Sequence, residues 1–231
     1  MPPAMTDHGA PALRLADATP IASGQVRRIF DHPLDSRLLI KILRRDAIER
    51  RWSGRLRAYK RLARALHYGG HVRELKEYIA ACARHPDRIA PIARTIGVVE
   101  TDLGLGLVAE KVVGPDATLA PTLATRYASE GGFSDVLERD LEALLEDLLA
   151  CNVIVGDMHA WNIVYGSDSR GGPRFVLIDG FGEKLAIPLT SMSRRFNAHN
   201  TRRLYRRMRA QLLQLVPLEH PAAGVESTHG G

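Results

Sequence analysis

The stretch that decides the fold is residues 152–184, which read NVIVGDMHAWNIVYGSDSRGGPRFVLIDGFGEK. It contains two short apolar runs, and each run leads into an aspartate, Asp157 or Asp179. An apolar run that leads into an acid places that carboxylate at the rim of the core, where it can reach a metal ion or a substrate. Asn162 follows Asp157 by five positions and adds a third oxygen-bearing side chain. Oxygen ligands of this kind suit Mg²⁺, which usually shares its coordination shell with phosphate groups.

The order of these residues resembles the phosphoryl-transfer signature of kinase-like enzymes. The segment GDMHAWNIV, at residues 156–164, is similar to the catalytic loop of kinase-like small-molecule phosphotransferases. The segment LIDGFG, at residues 177–182, resembles the metal-binding loop of kinases with one glycine inserted. Over roughly residues 20–210 the chain resembles the YrbL family, small kinase-fold proteins named as part of the bacterial PhoP regulatory network. The match includes IASGQVRRIFDHPLDSRLLIKIL at residues 21–43.

The resemblance implies an α+β, two-lobed protein-kinase-like fold. A small β-rich amino-terminal lobe is expected at residues 21–113, and a reduced helical carboxyl-terminal lobe at residues 114–216. Residues 1–20 and 217–231 are expected to be flexible tails. The 49 residues after Gly182 are too few for the helical lobe and activation segment of a protein kinase. A minimal phosphotransferase is therefore predicted instead of a regulated protein kinase.

The resemblance also implies a role for each residue of the catalytic loop. Asp157 would be the base for an attacking hydroxyl, and Asn162 and Asp179 would hold Mg²⁺ while ATP supplies its γ-phosphate. His159 stands where protein kinases carry a lysine, and its imidazole can donate a hydrogen bond to phosphate. A histidine here is similar to the small-molecule kinases, so the predicted acceptor is a small hydroxyl-bearing molecule.

Lys41 lies inside an apolar run of the predicted hairpin at residues 21–43. An unpaired buried charge is costly, so Lys41 either points to solvent or has a partner. The resemblance implies that Lys41 contacts the α- and β-phosphates of ATP and pairs with an acid of the next helix. Glu74 is the predicted partner, with Glu77 in reserve.

Other ATP contacts are implied in the same lobe. Gly24 stands where kinases have a glycine-rich phosphate loop, although the glycine repeat is absent here. A second hairpin is predicted between residues 92 and 113, and the backbone near Glu110 and Val112 would take the adenine edge.

Three helices are predicted from apolar residues spaced three and four apart. The helix after Gly70 has a stripe of Leu75, Tyr78, Ile79 and Cys82. The helix of residues 133–151 has Ser134 as a candidate N-cap. The last helix, residues 194–215, carries seven arginines with no acid among them.

A further basic helix is predicted at residues 44–68, with eight arginines and one lysine. Each arginine-rich face is either solvated or a docking surface for an acidic protein or a nucleic acid, and anionic lipid is a further candidate partner for residues 44–68.

Composition sets the remaining limits. The chain of 231 residues is 45% hydrophobic with a net charge of +6, which suits one compact unit and a phosphate-bearing partner. Cys82 and Cys151 are expected to be buried thiols of a reduced compartment. No apolar run approaches 18 residues and no signal peptide is evident, so a soluble cytoplasmic protein is expected.

Hydrolase and P-loop functions lack support in the sequence. No zinc-binding H-E-x-x-H, no G-x-S-x-G elbow and no Walker A loop occurs. The alternative that remains is a kinase-fold regulator that binds ATP without catalysing transfer. The missing glycine repeat and the glycine inserted after Asp179 favour that alternative, whereas the complete set of lysine, aspartates and asparagine favours catalysis.

Overall fold

A computed structural model describes residues 12–47, 68–183 and 189–215. Five strands form one antiparallel sheet in the order β1-β2-β3-β5-β4. Their bounds are β1 Ala22–Ser23, β2 Arg27–Asp31, β3 Leu38–Leu43, β4 Thr95–Thr101 and β5 Gly104–Glu110. Two further strands pair with each other, β6 Ile163–Asp168 and β7 Gly171–Leu177.

The helices complete a mixed α+β architecture. They are α1 Gly69–Arg84, α2 Leu123–Ser129, α3 Asp135–Ala150, α4 Leu189–Met192 and α5 Arg194–Leu215. A 3-10 turn, Ala160–Asn162, precedes β6. The predicted basic helix at residues 44–68 falls almost entirely outside the described residues. Within those residues no helix combines the length and the apolar character needed to cross a membrane.

The central position of β3 explains its apolar sequence. This strand pairs with β2 on one side and β5 on the other, so neither edge meets solvent. Its residues from Ile40 to Leu43 are all buried, and the Lys41 residue is only 6% exposed. The alternative that Lys41 points to solvent is therefore wrong.

Residues 12–21, which precede β1, contact the five-stranded sheet. Leu13 donates its backbone N–H to Glu100 O, and the Leu15 side chain is buried beside Phe30 and Ile40. The Asp102 carboxylate accepts hydrogen bonds from the backbone N–H groups of Leu15 and Ala16. Both leucines belong to the segment that the sequence-based division assigned to the amino-terminal tail. The proposed tail at residues 217–231 lies outside the described residues.

The largest apolar core lies around α3. Ser134 caps this helix by accepting the Leu137 N–H at 3.1 Å, as the sequence predicted. The buried stripe of α3 consists of Leu137, Leu141, Leu144 and Leu148. It packs against β7 and against α5, which contributes Met208 and Leu212 to the same core. This core supports the loop that follows α3.

The predicted apolar stripe of α1 is confirmed only in part. Tyr78 packs against the core around α3 and Leu75 is half-buried, whereas Ile79 and Cys82 are exposed. The most buried side of the helix instead carries His71, Glu74, Glu77 and Ala81. The reason is tertiary, because that side faces charged groups and backbone donors that the acids can satisfy. Cys151 is buried as predicted, whereas Cys82 is not, and both thiols are free.

Candidate functional site

A buried ion pair joins the sheet to α1. Lys41 Nζ lies 3.0 Å from Glu74 Oε2 and donates a second hydrogen bond to the Ile178 carbonyl at 2.6 Å. Both side chains are almost fully buried. Buried charges are tolerated when each has a partner and further hydrogen bonds. The predicted pairing of Lys41 with Glu74 is present, and the second bond brings Lys41 to the residue just before Asp179.

Glu77 has a different role from Glu74. Its Oε1 accepts the backbone N–H of Ile154 at 2.8 Å, so it holds the chain that enters residues 156–164, the segment that resembles a kinase catalytic loop (the catalytic-loop segment). Burial raises the pKa of Glu77, and the hydrogen bond from Ile154 only partly offsets this. Between the two candidate acids of α1, Glu74 is the one that contacts Lys41.

Arg27 is a site residue that the sequence did not reveal. Its Nη1 lies 2.5 Å from Glu74 Oε1 and 3.3 Å from Asp179 Oδ2, so it bridges the two carboxylates. Burial opposes the charged guanidinium, but the carboxylates of Glu74 and Asp179 outweigh burial and raise the pKa of Arg27. Strand alternation was the only sequence signal for Arg27. The β2–β3 register places its side chain on the same face of the sheet as Lys41.

Asp179 is held ionised at the edge of this cluster. Burial favours its neutral form, but the positive charges of Lys41 and Arg27, together with the Gly180 N–H, lower its pKa. Gly180 N donates to Asp179 Oδ1 at 2.5 Å. The Asp179 side chain is nevertheless 41% exposed, so an incoming cation can reach it.

Backbone hydrogen bonds hold the two aspartate loops together. The N–H groups of Gly156 and Asp157 both donate to the Gly180 carbonyl, at 2.9 and 2.8 Å. On the other side of Asp179, Ile178 N donates to Asn162 O at 2.8 Å. The segment that carries Asp157 and Asn162 therefore adjoins the loop that carries Asp179.

The inserted glycine has a structural explanation at this junction. Gly180 has φ +83°, and a Cβ atom there would clash with the Asp157 carbonyl oxygen. Only glycine adopts this conformation without strain and allows this approach. The insertion therefore shapes the contact between the loops.

We expect Gly180→Ala to lower the free energy of unfolding by about 3 kcal/mol, because it combines backbone strain with a clash against main chain. Gly172→Ala is the matched control, since a Cβ at that strand position meets nothing within 4 Å. The control should change stability by less than about 0.5 kcal/mol. Urea denaturation of both variants measures the difference, and equal effects would contradict the explanation.

Asp157 and His159 form an exposed pair in the catalytic-loop segment. His159 Nε2 lies 3.0 Å from Asp157 Oδ1, and their side chains are 46% and 39% exposed. Asn162 ends the 3-10 turn and donates its backbone N–H to His159 O at 2.9 Å. The loop thus presents a carboxylate and an imidazole together toward solvent.

The other residues predicted to contact ATP form hydrogen bonds within the protein. Gly24 lies in the turn between β1 and β2, where its N–H donates to Arg27 O at 2.8 Å. The Glu110 carboxylate accepts hydrogen bonds from Ser169 N and Ser169 Oγ, both at 2.8 Å. Val112 is buried, and its carbonyl accepts the Ala120 N–H at 3.0 Å. A nucleotide contact at these three residues stays a prediction.

His71 is a second residue that the sequence missed. It is 2% exposed, and neither ring nitrogen has a hydrogen-bond partner in the described residues. Burial, together with the nearby positive charges of Arg27 and Lys41, lowers its pKa to about 3. His71 is therefore neutral at pH 7 and adds no charge to the cluster.

The arginines of α5 divide into two groups. Arg209 contacts Glu138 and lies over the Phe133 ring, 4.4 Å from its centroid, so it stabilises the helix packing. The others are exposed, namely Arg194, Arg195, Arg202, Arg203, Arg206 and Arg207. Docking of an acidic protein or a nucleic acid on this face stays a prediction.

Comparison with known proteins agrees with the resemblance seen in the sequence. Residues 13–213 match the family described as PhoP regulatory network protein YrbL, and the chain belongs to this family. An uncharacterized protein YrbL of Escherichia coli (strain K12) is 27% identical over 211 residues, which cover 90% of this chain and 91% of the relative. An uncharacterized protein YrbL of Shigella flexneri shows the same identity and coverage.

Proposed function

We propose that this protein is an ATP- and Mg²⁺-dependent phosphotransferase with a two-lobed kinase-like fold. The five-stranded sheet with α1 would form the amino-terminal lobe, residues 21–113, and the helices from α2 onward the carboxyl-terminal lobe, residues 114–216. The observation that carries the proposal is the buried Lys41–Glu74 pair, whose lysine also bonds to the residue before Asp179. A cytoplasmic location, where ATP is available, belongs to the same proposal.

The residues fit a magnesium ion of the kind that nucleotide enzymes use. Asn162 and Asp179 lie on loops joined by the Ile178–Asn162 hydrogen bond, and Asp179 is both ionised and reachable. No group of three or more histidine, cysteine or acidic side chains forms a metal site within the described residues. Two oxygen ligands nevertheless suffice for Mg²⁺, which usually completes its shell with water and phosphate oxygens. When bound, the ion would neutralise phosphate charge.

In the proposed reaction, the hydroxyl oxygen of the acceptor forms a bond to the γ-phosphorus of ATP. The bond from that phosphorus to the β–γ bridging oxygen breaks, and its electron pair leaves with ADP. The hydroxyl proton passes to the Asp157 carboxylate. Lys41 would hold the α- and β-phosphates, and His159 would donate a hydrogen bond to the transferring group.

One observation favours a second candidate function. Arg27 already places a cation beside Asp179, at 3.3 Å, where the metal ion would bind. A protein that binds nucleotide as a signal could keep this arrangement without transferring phosphate. The family description, which names a PhoP regulatory network, fits this regulator alternative.

Calorimetry of ATP binding with and without Mg²⁺ tests the nucleotide site. We expect binding that needs Mg²⁺, and a loss of affinity of about 100-fold or more in Asp179→Ala, because a metal ligand is removed. Asp87→Ala, an exposed aspartate in the turn after α1, is the control and should bind like the wild type.

Turnover then separates the two candidate functions. With hydroxyl-bearing acceptors present, ATP binding accompanied by ADP release supports the phosphotransferase, whereas binding without ADP release supports the regulator. If the wild type binds no ATP, both candidates are wrong.

A further inference from the structure

A cavity of about 250 Å³ lies between the catalytic-loop segment and α5. Its lining residues are Asp157, Met158, His159, Leu204, Arg207 and Gln211. One wall therefore carries the carboxylate that we propose as the base, and the opposite wall is one face of a single helix. The volume is below the range of about 300–1,000 Å³ that is usual for drug-sized ligands, so only a small molecule fits.

The position of α5 against this loop is fixed by polar contacts. Asn197 Nδ2 donates to the Val153 carbonyl at 2.9 Å, and Asn200 Nδ2 donates to the Val155 carbonyl at 3.3 Å. These carbonyls belong to the strand-like segment that leads into Asp157. Two asparagines less than a turn apart thus set the register of α5 on the loop. Arg207 follows on the same helix at a defined place relative to Asp157.

Arg207 differs from three nearby arginines of α5 whose side chains have partners in the protein. Arg203 donates to Asn200 Oδ1, Arg206 donates to the Arg202 carbonyl, and Arg209 contacts Glu138. Across the described part of the chain, no carboxylate pairs with the Arg207 guanidinium. An arginine in a cavity is suited to bind a carboxylate or a phosphate, because its planar fork can form two parallel hydrogen bonds.

We propose that this cavity binds the phosphoryl acceptor, and that the acceptor is a small molecule with a hydroxyl group and an oxyanion a few atoms apart. This inference rests on the proposed phosphotransferase function. The hydroxyl faces Asp157 and the oxyanion pairs with Arg207. Gln211 supplies a further amide contact, and Leu204 and Met158 pack against the carbon skeleton. The oxyanion is a carboxylate or a phosphate, since Arg207 recognises both.

Matched pairs of acceptors test this assignment through the rate of ADP release. D-glycerate and glycerol 3-phosphate carry a hydroxyl with a carboxylate or a phosphate, and glycerol is their uncharged counterpart. We expect ADP release to be accelerated by at least one charged probe and not by glycerol. A response to glycerate alone identifies a carboxylate, and a response to glycerol 3-phosphate alone identifies a phosphate.

Two neighbouring variants test the role of Arg207. Arg207→Gln should raise the KM for the active probe by about tenfold or more, because a charge-assisted hydrogen bond is lost, and leave the Kd for ATP with Mg²⁺ unchanged. Arg206→Gln removes the same charge from the next position, outside the cavity lining, and should leave both constants unchanged.

Three results would overturn the acceptor assignment. They are equal acceleration by glycerol and the charged probes, equal effects of the two arginine variants, and ATP binding with no response to any charged probe. None of these results would contradict the proposed nucleotide site. A wild type that binds no ATP with Mg²⁺ overturns the proposed function itself, so the two failures are distinguishable.

Discussion

Asp157→Asn should lower the rate of ATP turnover by about 10²- to 10⁴-fold and leave the affinity for ATP with Mg²⁺ nearly unchanged. The asparagine has the same shape but cannot accept the proton of the attacking hydroxyl. The loop should keep its position, because the Asp157 N–H donates to the Gly180 carbonyl through main-chain atoms. The variant therefore separates loss of the base from loss of the site.

The measurement compares ADP release and calorimetric ATP binding on the same samples. Asp116→Asn is the control, since Asp116 is an exposed aspartate whose contacts are with its own turn at Thr118. It should match the wild type in both assays. Unchanged turnover in Asp157→Asn would contradict the role of Asp157 as the base.

Glu74→Gln should lower the free energy of unfolding by about 3–5 kcal/mol, the range for breaking a buried ion pair by removing one partner. Glu74 is the acid that contacts both Lys41 Nζ and Arg27 Nη1. A neutral amide would leave these two buried cations with insufficient negative charge. Denaturation by urea at pH 7 measures the loss.

Glu77→Gln is the matched control, one turn further along the same buried side of α1. Its amide oxygen can still accept the Ile154 N–H, so the expected loss is about 1 kcal/mol or less. A loss as large as that of Glu74→Gln would mean that any polar change on this face is equally costly, and would contradict the special role of the ion pair.

The loss of stability in Glu77→Gln should change with pH in a defined direction. Burial raises the pKa of Glu77 above its ordinary value of 4.5, so the folded protein binds this proton more readily than the unfolded chain. The resulting stabilisation is complete below that ordinary value and is lost as the pH rises through the raised pKa. Glutamine does not titrate, so the deficit of Glu77→Gln relative to wild type should shrink as the pH increases above 4.5.

The elements that the sequence predicted well are specified by residues that lie close together in the chain. The leucines of α3 repeat at helical spacing after a capping Ser134, and each of these features acts within a few residues. The aspartates of the site follow short apolar runs, so their place at the edge of a core could be expected. The close approach of Asp157 to Asp179 required the structure, because the Gly180 carbonyl that joins their loops is a main-chain contact.

The elements that the sequence missed depend on partners far along the chain. The prediction of an apolar stripe for α1 did not account for the partners of its two buried acids. Glu74 pairs with Lys41, and Glu77 accepts the Ile154 N–H. These contacts compensate for the burial of the two carboxylates. Arg27 contacts Asp179 only because the β2–β3 register places it at the site. The two residues are 152 positions apart in the chain. Strand alternation separates Arg27 from the exposed Arg28 beside it but does not show which residues Arg27 contacts.

The sequence by itself predicted the capped helix α3, the β2–β3 and β4–β5 hairpins, the family, and the lysine, aspartates and asparagine of the candidate site. These follow from periodicity, capping and the order of motifs, which are properties of short segments. The tertiary structure decided which acid pairs with Lys41, which arginine reaches Asp179, and which helix faces the loop that carries Asp157. Those choices depend on strand register and on how buried charges are compensated across long separations, because a buried polar group is stable only where the fold supplies its partner.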